Sequence, residues 1–154
     1  MARREILSTL EKLVPGVRFN LIMLGCRMNG EYPVAKKVWQ PGLVPLTPAS
    51  RTAAVRFLEK QVPEGWTHLY DALDLAAKDP AVDTAFLVSD GGASKGQYVT
   101  NGEILDRFAF HNRRRRLRVH AIEVWNASED NTRLMKGLAE MTGGVYRKVG
   151  ANKS

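Results

Sequence analysis

Cysteine is nearly absent: Cys26 is the single one in 154 residues. That excludes an intrachain disulfide and any zinc site built from cysteines. Histidine is scarce too, and His68, His111 and His120 lack the spacing of metal ligands. No apolar run approaches the roughly 18 residues a membrane span needs. The opening stretch MARREILSTLEKLVPG is interrupted by charges and reads as neither signal peptide nor anchor. No membrane association is expected, and the cytoplasm is the default location. Internal repeats and low-complexity linkers are also missing.

What is present suits one soluble domain. The chain is 44% hydrophobic and 25% charged, ordinary values for a globular protein. We expect a single domain over 1–150 and a frayed tail over 151–154. The formal net charge is +7, which admits an acidic partner. Its densest cluster, Arg113 to Arg116, reads first as the solvated end of a helix, where cations complement the dipole. A nucleic-acid contact ranks below that.

Patterning alternates helices and strands. Ile6, Leu7, Leu10, Leu13 and Val14 recur at helical spacing over 2–13, and Pro15-Gly16 ends that helix. VRFNLIML, residues 17–24, reads as one apolar strand of a sheet covered on both faces. Gly and Pro punctuate 25–46, with VAKKVW as a short edge strand. Thr47-Pro48 opens a helix whose apolar face is Ala54, Val55, Phe57, Leu58 and Val62, and Pro63-Glu64-Gly65 breaks it. Another begins near Thr67 and stops at Asp79-Pro80. VDTAFLV, 82–88, is the next strand. Thr100 to Glu103 has capping-box spacing before a helix that runs into the arginines. LRVHAIEVW, a helix carrying Leu134, Leu138 and Met141, a Gly143-Gly144 stop and VYRKV complete the chain. This order predicts an α/β fold, a doubly wound, mostly parallel Rossmann-like sheet flanked by helices. Ligands of such folds sit beyond the carboxyl ends of the strands. There lies Asp90, in FLVSDGGAS, followed by glycines that leave its carboxylate free to face a site.

Three features together resemble a family: the strand ending Ser89-Asp90-Gly91, the segment Gly65-Trp66-Thr67-His68-Leu69-Tyr70-Asp71-Ala72-Leu73, and the order of elements from Val17 to Val149. They are similar to the von Willebrand factor type A domain, over nearly the whole chain. The resemblance implies a protein-binding module with a metal-ion-dependent adhesion site. In that family magnesium is held by an Asp-x-Ser-x-Ser loop after the first strand, a threonine before a helix and an aspartate ending a later strand. The ion then accepts a carboxylate from a partner protein. Thr67 matches the threonine and Asp90 the late aspartate. Asp-x-Ser-x-Ser occurs nowhere in this chain. By the family's order, the first strand and its loop would precede Met1, as for a domain truncated at its start. That strand would run mid-sheet, between those at Val17 and Val82. Magnesium is therefore expected only if that loop is supplied, since two oxygen side chains make a poor site for a hard cation. Trp66, Glu123 and Trp125 stand where the family favours small residues, and they either obstruct the cleft or anchor a partner.

Simpler roles compete. Asp90 before glycine is a turn former, Thr67 an ordinary helix cap, and Asp71 a first-turn acid that favours the dipole. An enzyme using Cys26 or Ser89 is the alternative. No base is placed beside either, and Ser89 lacks the Gly-x-Ser-x-Gly elbow. The loop Gly91 to Gly96 fails the Walker phosphate pattern. The expected partner is another protein, with self-association through exposed sheet edges as a further route. A sheet lacking its middle strand is expected to be marginally stable.

Overall fold

The computed structural model describes residues 1–28, 31–34, 37–62, 66–125 and 127–150. It is a mixed α/β fold with five helices and a three-stranded parallel sheet. The Pro63-Glu64-Gly65 breaker and the tail 151–154 lie outside the described residues.

The C-terminal half contains β7 (Thr84–Ser89), β8 (Arg118–Val124) and β9 (Tyr146–Val149), all parallel in the order β7-β8-β9. Helices α3 (Leu69–Lys78), α4 (Asn101–Arg115) and α5 (Glu129–Thr142) pack on one face of this sheet. Leu87, Val119 and Ala121 meet Leu69, Leu73, Ile104, Phe108, Leu134 and Leu138 there, all buried. Strong local signals fix these helices. Thr100 and Ser128 cap α4 and α5 through their side chains, and Gly143 ends α5 in the left-handed region at φ 71°. That conformation suits glycine.

The N-terminal half corrects one expectation. Residues 17–24 are not one strand of a parallel sheet. They divide into β1 (Arg18–Phe19) and β2 (Ile22–Met23), which pair antiparallel with β6 (Val44–Pro45) and β5 (Lys37–Val38). The same excursion continues through β3 (Cys26–Met28) and β4 (Glu31–Val34), also antiparallel. Asn20 divides the strand. Its Oδ1 accepts from Leu21 N–H at 2.8 Å and Gln40 N–H at 3.1 Å, while its Nδ2 donates to Gln40 O at 2.8 Å. The side chain takes the place of ladder bonds where the return strand carries extra residues between Val38 and Val44. Of the proposed edge strand VAKKVW, Lys37–Val38 pairs as β5, and residues 35–36 lie outside the description.

Helices α1 (Ala2–Lys12) and α2 (Pro48–Glu59) cover this excursion. Leu10, Phe19, Ala54 and Leu58 form a second, smaller core, with Trp39 tilted against Phe19 at 5.3 Å between ring centroids. Thr47 and Ser50 make a reciprocal capping box at the start of α2. That helix stops at Glu59, so Val62, expected on its apolar face, is instead exposed. The halves meet in a few places. Glu5 of α1 pairs with Arg147 of β9 at 2.8 Å. His68 N–H donates to Leu24 O at 2.7 Å.

Candidate functional site

Parallel pairing brings several of the expected residues to one rim. Ser89 is opposite Glu123 in the β7–β8 register, so Asp90 and Trp125 leave the sheet side by side at the strands' carboxyl ends. Asp90 is exposed, and its Oδ1 accepts Gly92 N–H at 3.0 Å, closing a turn. Ser89 is buried beneath it, its hydroxyl accepting Gly91 N–H at 3.0 Å. Gly91 has φ 77°, and a Cβ there would meet Asn131 O of α5 at 2.7 Å. Both backbone conformation and space thus require glycine where the chain turns away from Asp90.

Thr67 does not cap α3, the simpler of the two roles its sequence context allows. The N-cap of α3 is His68, which makes no side-chain cap bond. Thr67 is tied to the loop after Asp90. Its N–H donates to Ser94 Oγ at 2.8 Å, and its carbonyl accepts from Ser94 N–H at 3.1 Å and Lys95 N–H at 3.3 Å. Its hydroxyl makes no hydrogen bond among the described residues. Asp71, in the first turn of α3, fastens the same loop lower down. Its Oδ1 accepts Gln97 N–H at 3.3 Å, and its Oδ2 lies 3.3 Å from His68 Nδ1. Thr67 and Asp90 therefore flank one latched loop, 91–97.

Two tryptophans are exposed at this end of the molecule, Trp66 against the loop and Trp125 directly after β8. Trp66 is 51% exposed with the Lys95 ammonium 5.2 Å from its ring, and Trp125 is 48% exposed at φ 64°. A left-handed conformation is unfavourable for a bulky residue, and Trp125 takes it directly after the last residue of β8.

Glu123 does not stand on the rim. It is wholly buried on the helix-covered face, with Lys148 Nζ 2.8 Å from Oε1 as an ion pair and Tyr146 O–H donating to Oε2 at 3.0 Å. Burial pushes its carboxyl up, but the bonds from Lys148, Thr132 and Tyr146 outweigh it and hold the carboxyl below its ordinary value. Burial and the bond to that carboxylate push the Tyr146 hydroxyl up to about 12. Nothing local in the sequence signals this network, since its members come from β8, β9 and α5.

For catalysis the arrangement offers little. Among the described residues no histidine bonds to Ser89: His68 engages Asp71, and His120 stacks on Phe86 towards the opposite end of the strands at 5.0 Å. The side chain of Cys26 lies outside the description. For a cation, Thr67 and Asp90 offer one neutral and one charged oxygen ligand, too few to enclose a magnesium ion without further donors. Among the described residues no three His, Cys, Asp or Glu side chains converge as a metal site. No protein-family model and no curated protein matches the chain.

Proposed function

We propose that the chain is a protein-binding module of the von Willebrand factor type A kind, doubly wound and not an enzyme, whose contact surface is the rim around Thr67, Asp90 and Trp125. The observation that carries this reading is the pair of half-exposed tryptophans, Trp66 beside the latched loop and Trp125 directly after β8 at the carboxyl ends of the strands. Large aromatic side chains at a rim held by several hydrogen bonds are what a partner anchors on. The expected ligand is another protein. The test retains partners from one lysate on the immobilised chain and on its Trp66→Ala/Trp125→Ala variant, then quantifies them by mass spectrometry. At least one protein should be depleted about tenfold by the double substitution. Equal profiles would sink the reading.

Magnesium belongs to this reading only if another segment supplies ligands to join Thr67 and Asp90. On their own these two bind it weakly or not at all. Thermal-shift titrations with magnesium and manganese should then give no saturable shift. A shift of several degrees that Asp90→Ala abolishes would overturn this.

A second route to a partner is the outer edge of β7, which among the described residues pairs only with β8. Arg118 N–H bonds to Asp83 O, so by alternation the peptide groups of Thr84, Phe86 and Val88 point away from β8. An open apolar edge favours self-association. Sedimentation should show concentration-dependent oligomers that Phe86→Lys suppresses; a monomer at all concentrations would rule this route out.

A further inference from the structure

The cavity at the opposite end of the sheet, beneath the amino ends of β7 and β8, has a composition the rim does not share. It measures about 720 Å³ and is lined by Asp83, Thr84, Asn112, Arg113, Arg116 and Arg118, among others. Three arginines and one aspartate therefore line it. Among the described residues none of the three arginines forms an ion pair. Arg113 makes only a stacking contact, its guanidinium 5.6 Å from the Phe110 ring.

The arginines are held in place by the residues between them. Asn112 is buried at the end of α4 and forms a two-way fork with Leu117, donating from Nδ2 to its carbonyl at 2.8 Å and accepting its N–H at 2.9 Å. Arg115 turns inward and donates to the carbonyls of Ala77, Asp79 and Val82. Arg116 takes the left-handed conformation, φ 54°, that carries the chain from α4 into β8. The turn is thereby braced on both sides, while Arg113, Arg116 and Arg118 are left to line the cavity. A helix-dipole role accounts for a cation in the last turn of α4. It does not reach Arg118, which belongs to a strand.

We propose that this cavity binds the phosphate groups of an oligophosphate-bearing ligand. Planar guanidinium forks match phosphate oxygens in pairs, and at this cavity three arginines outnumber the one carboxylate. The phosphates can come from a free oligophosphate or from the backbone of a single strand of nucleic acid, and the test separates these sources.

Inorganic tripolyphosphate is titrated calorimetrically into the full chain at about 0.1 M salt, where surface charges are screened beyond about 10 Å. A labelled single-stranded oligoribonucleotide is followed in parallel by anisotropy. Tripolyphosphate should bind saturably. Arg116→Gln/Arg118→Gln should weaken it about tenfold or more, and Arg113→Gln alone by less. The control Arg4→Gln/Lys12→Gln, which removes the same charge from the exposed face of α1, should change it less than twofold. An oligonucleotide that binds and is displaced by tripolyphosphate identifies nucleic acid as the source; one that fails to bind identifies the free oligophosphate. Absence of saturable tripolyphosphate binding, or equal weakening by the control pair, would overturn the proposal.

Discussion

The two halves of this molecule are built from similar amounts of chain and differ in how they are held. Among the described residues, the C-terminal half gathers thirteen buried apolar residues around three parallel strands. The N-terminal half gathers four described ones, under two helices and a chain of two- to four-residue antiparallel strands. Burial of apolar surface is the dominant favourable term in folding, so the second half depends far more on individual hydrogen bonds and on contact with the first. The rim residues lie at the junction: Thr67 is next to His68, whose N–H holds Leu24 at the end of β2.

The sharpest way to break the comparison is to cut into each core. Phe108→Ala removes a side chain that is 1% exposed in the larger cluster and should cost about 4 kcal/mol. Leu58→Ala, in the smaller cluster, should cost about 2 kcal/mol. Hydrogen exchange with mass spectrometry gives the pattern. Phe108→Ala should raise exchange in both halves, whereas Leu58→Ala should raise it chiefly over α1, α2 and β1. Equal losses over the whole chain would mean a single cooperative unit.

Tyr146→Phe probes the buried network of the stronger half. It removes the hydrogen bond to the Glu123 carboxylate and should cost about 1–2 kcal/mol near neutral pH. Because the folded Tyr146 hydroxyl is raised from 10.0 to about 12, its contribution is complete below pH 10 and disappears as pH rises through about 12. The wild type should therefore lose stability over that interval, and the variant should lose less. Glu123 acts at the other end: its carboxyl is held below 4.5, so its contribution is present above that value and lost as pH falls through the lowered one. Stability against pH for both proteins checks the two limbs together.

Asn20→Ala should open the weaker half alone, at about 1–2 kcal/mol, since it leaves the Leu21 and Gln40 backbone groups it bridges without their partner. Asn20 also shows where the sequence stops being legible. In VRFNLIML it is one polar residue within an apolar run, and period alone assigns such a run to a covered strand. That it ends one short strand and starts another depends on Gln40 lying across from it, a tertiary fact. The C-terminal half was readable because its signals are local: Thr100, the arginines closing α4, Gly143 and apolar stripes at helical spacing. At the rim, Asp90 at a strand end and exposed tryptophans beside it follow from sequence and pairing. A threonine before a helix fits a cap as well as a metal ligand, whereas the backbone of Thr67 bonds to Ser94 and Lys95, nearly thirty residues on.

The smallest expected effect tests whether the halves are coupled. Glu5 is buried on α1, and its carboxylate meets Arg147 of β9, whose side chain is about half exposed. Solvent screens such a pair, so Arg147→Ala should cost only about 0.5–1 kcal/mol. The distribution of that loss is more informative than its size. If the pair clamps α1 to the sheet, Arg147→Ala should speed hydrogen exchange over α1 while β8 keeps its protection. Combining it with Glu5→Gln should add little further loss, because the interaction is already gone. Additive losses would mean that each side chain works through other contacts, and that the N-terminal half is held to the sheet without this ion pair.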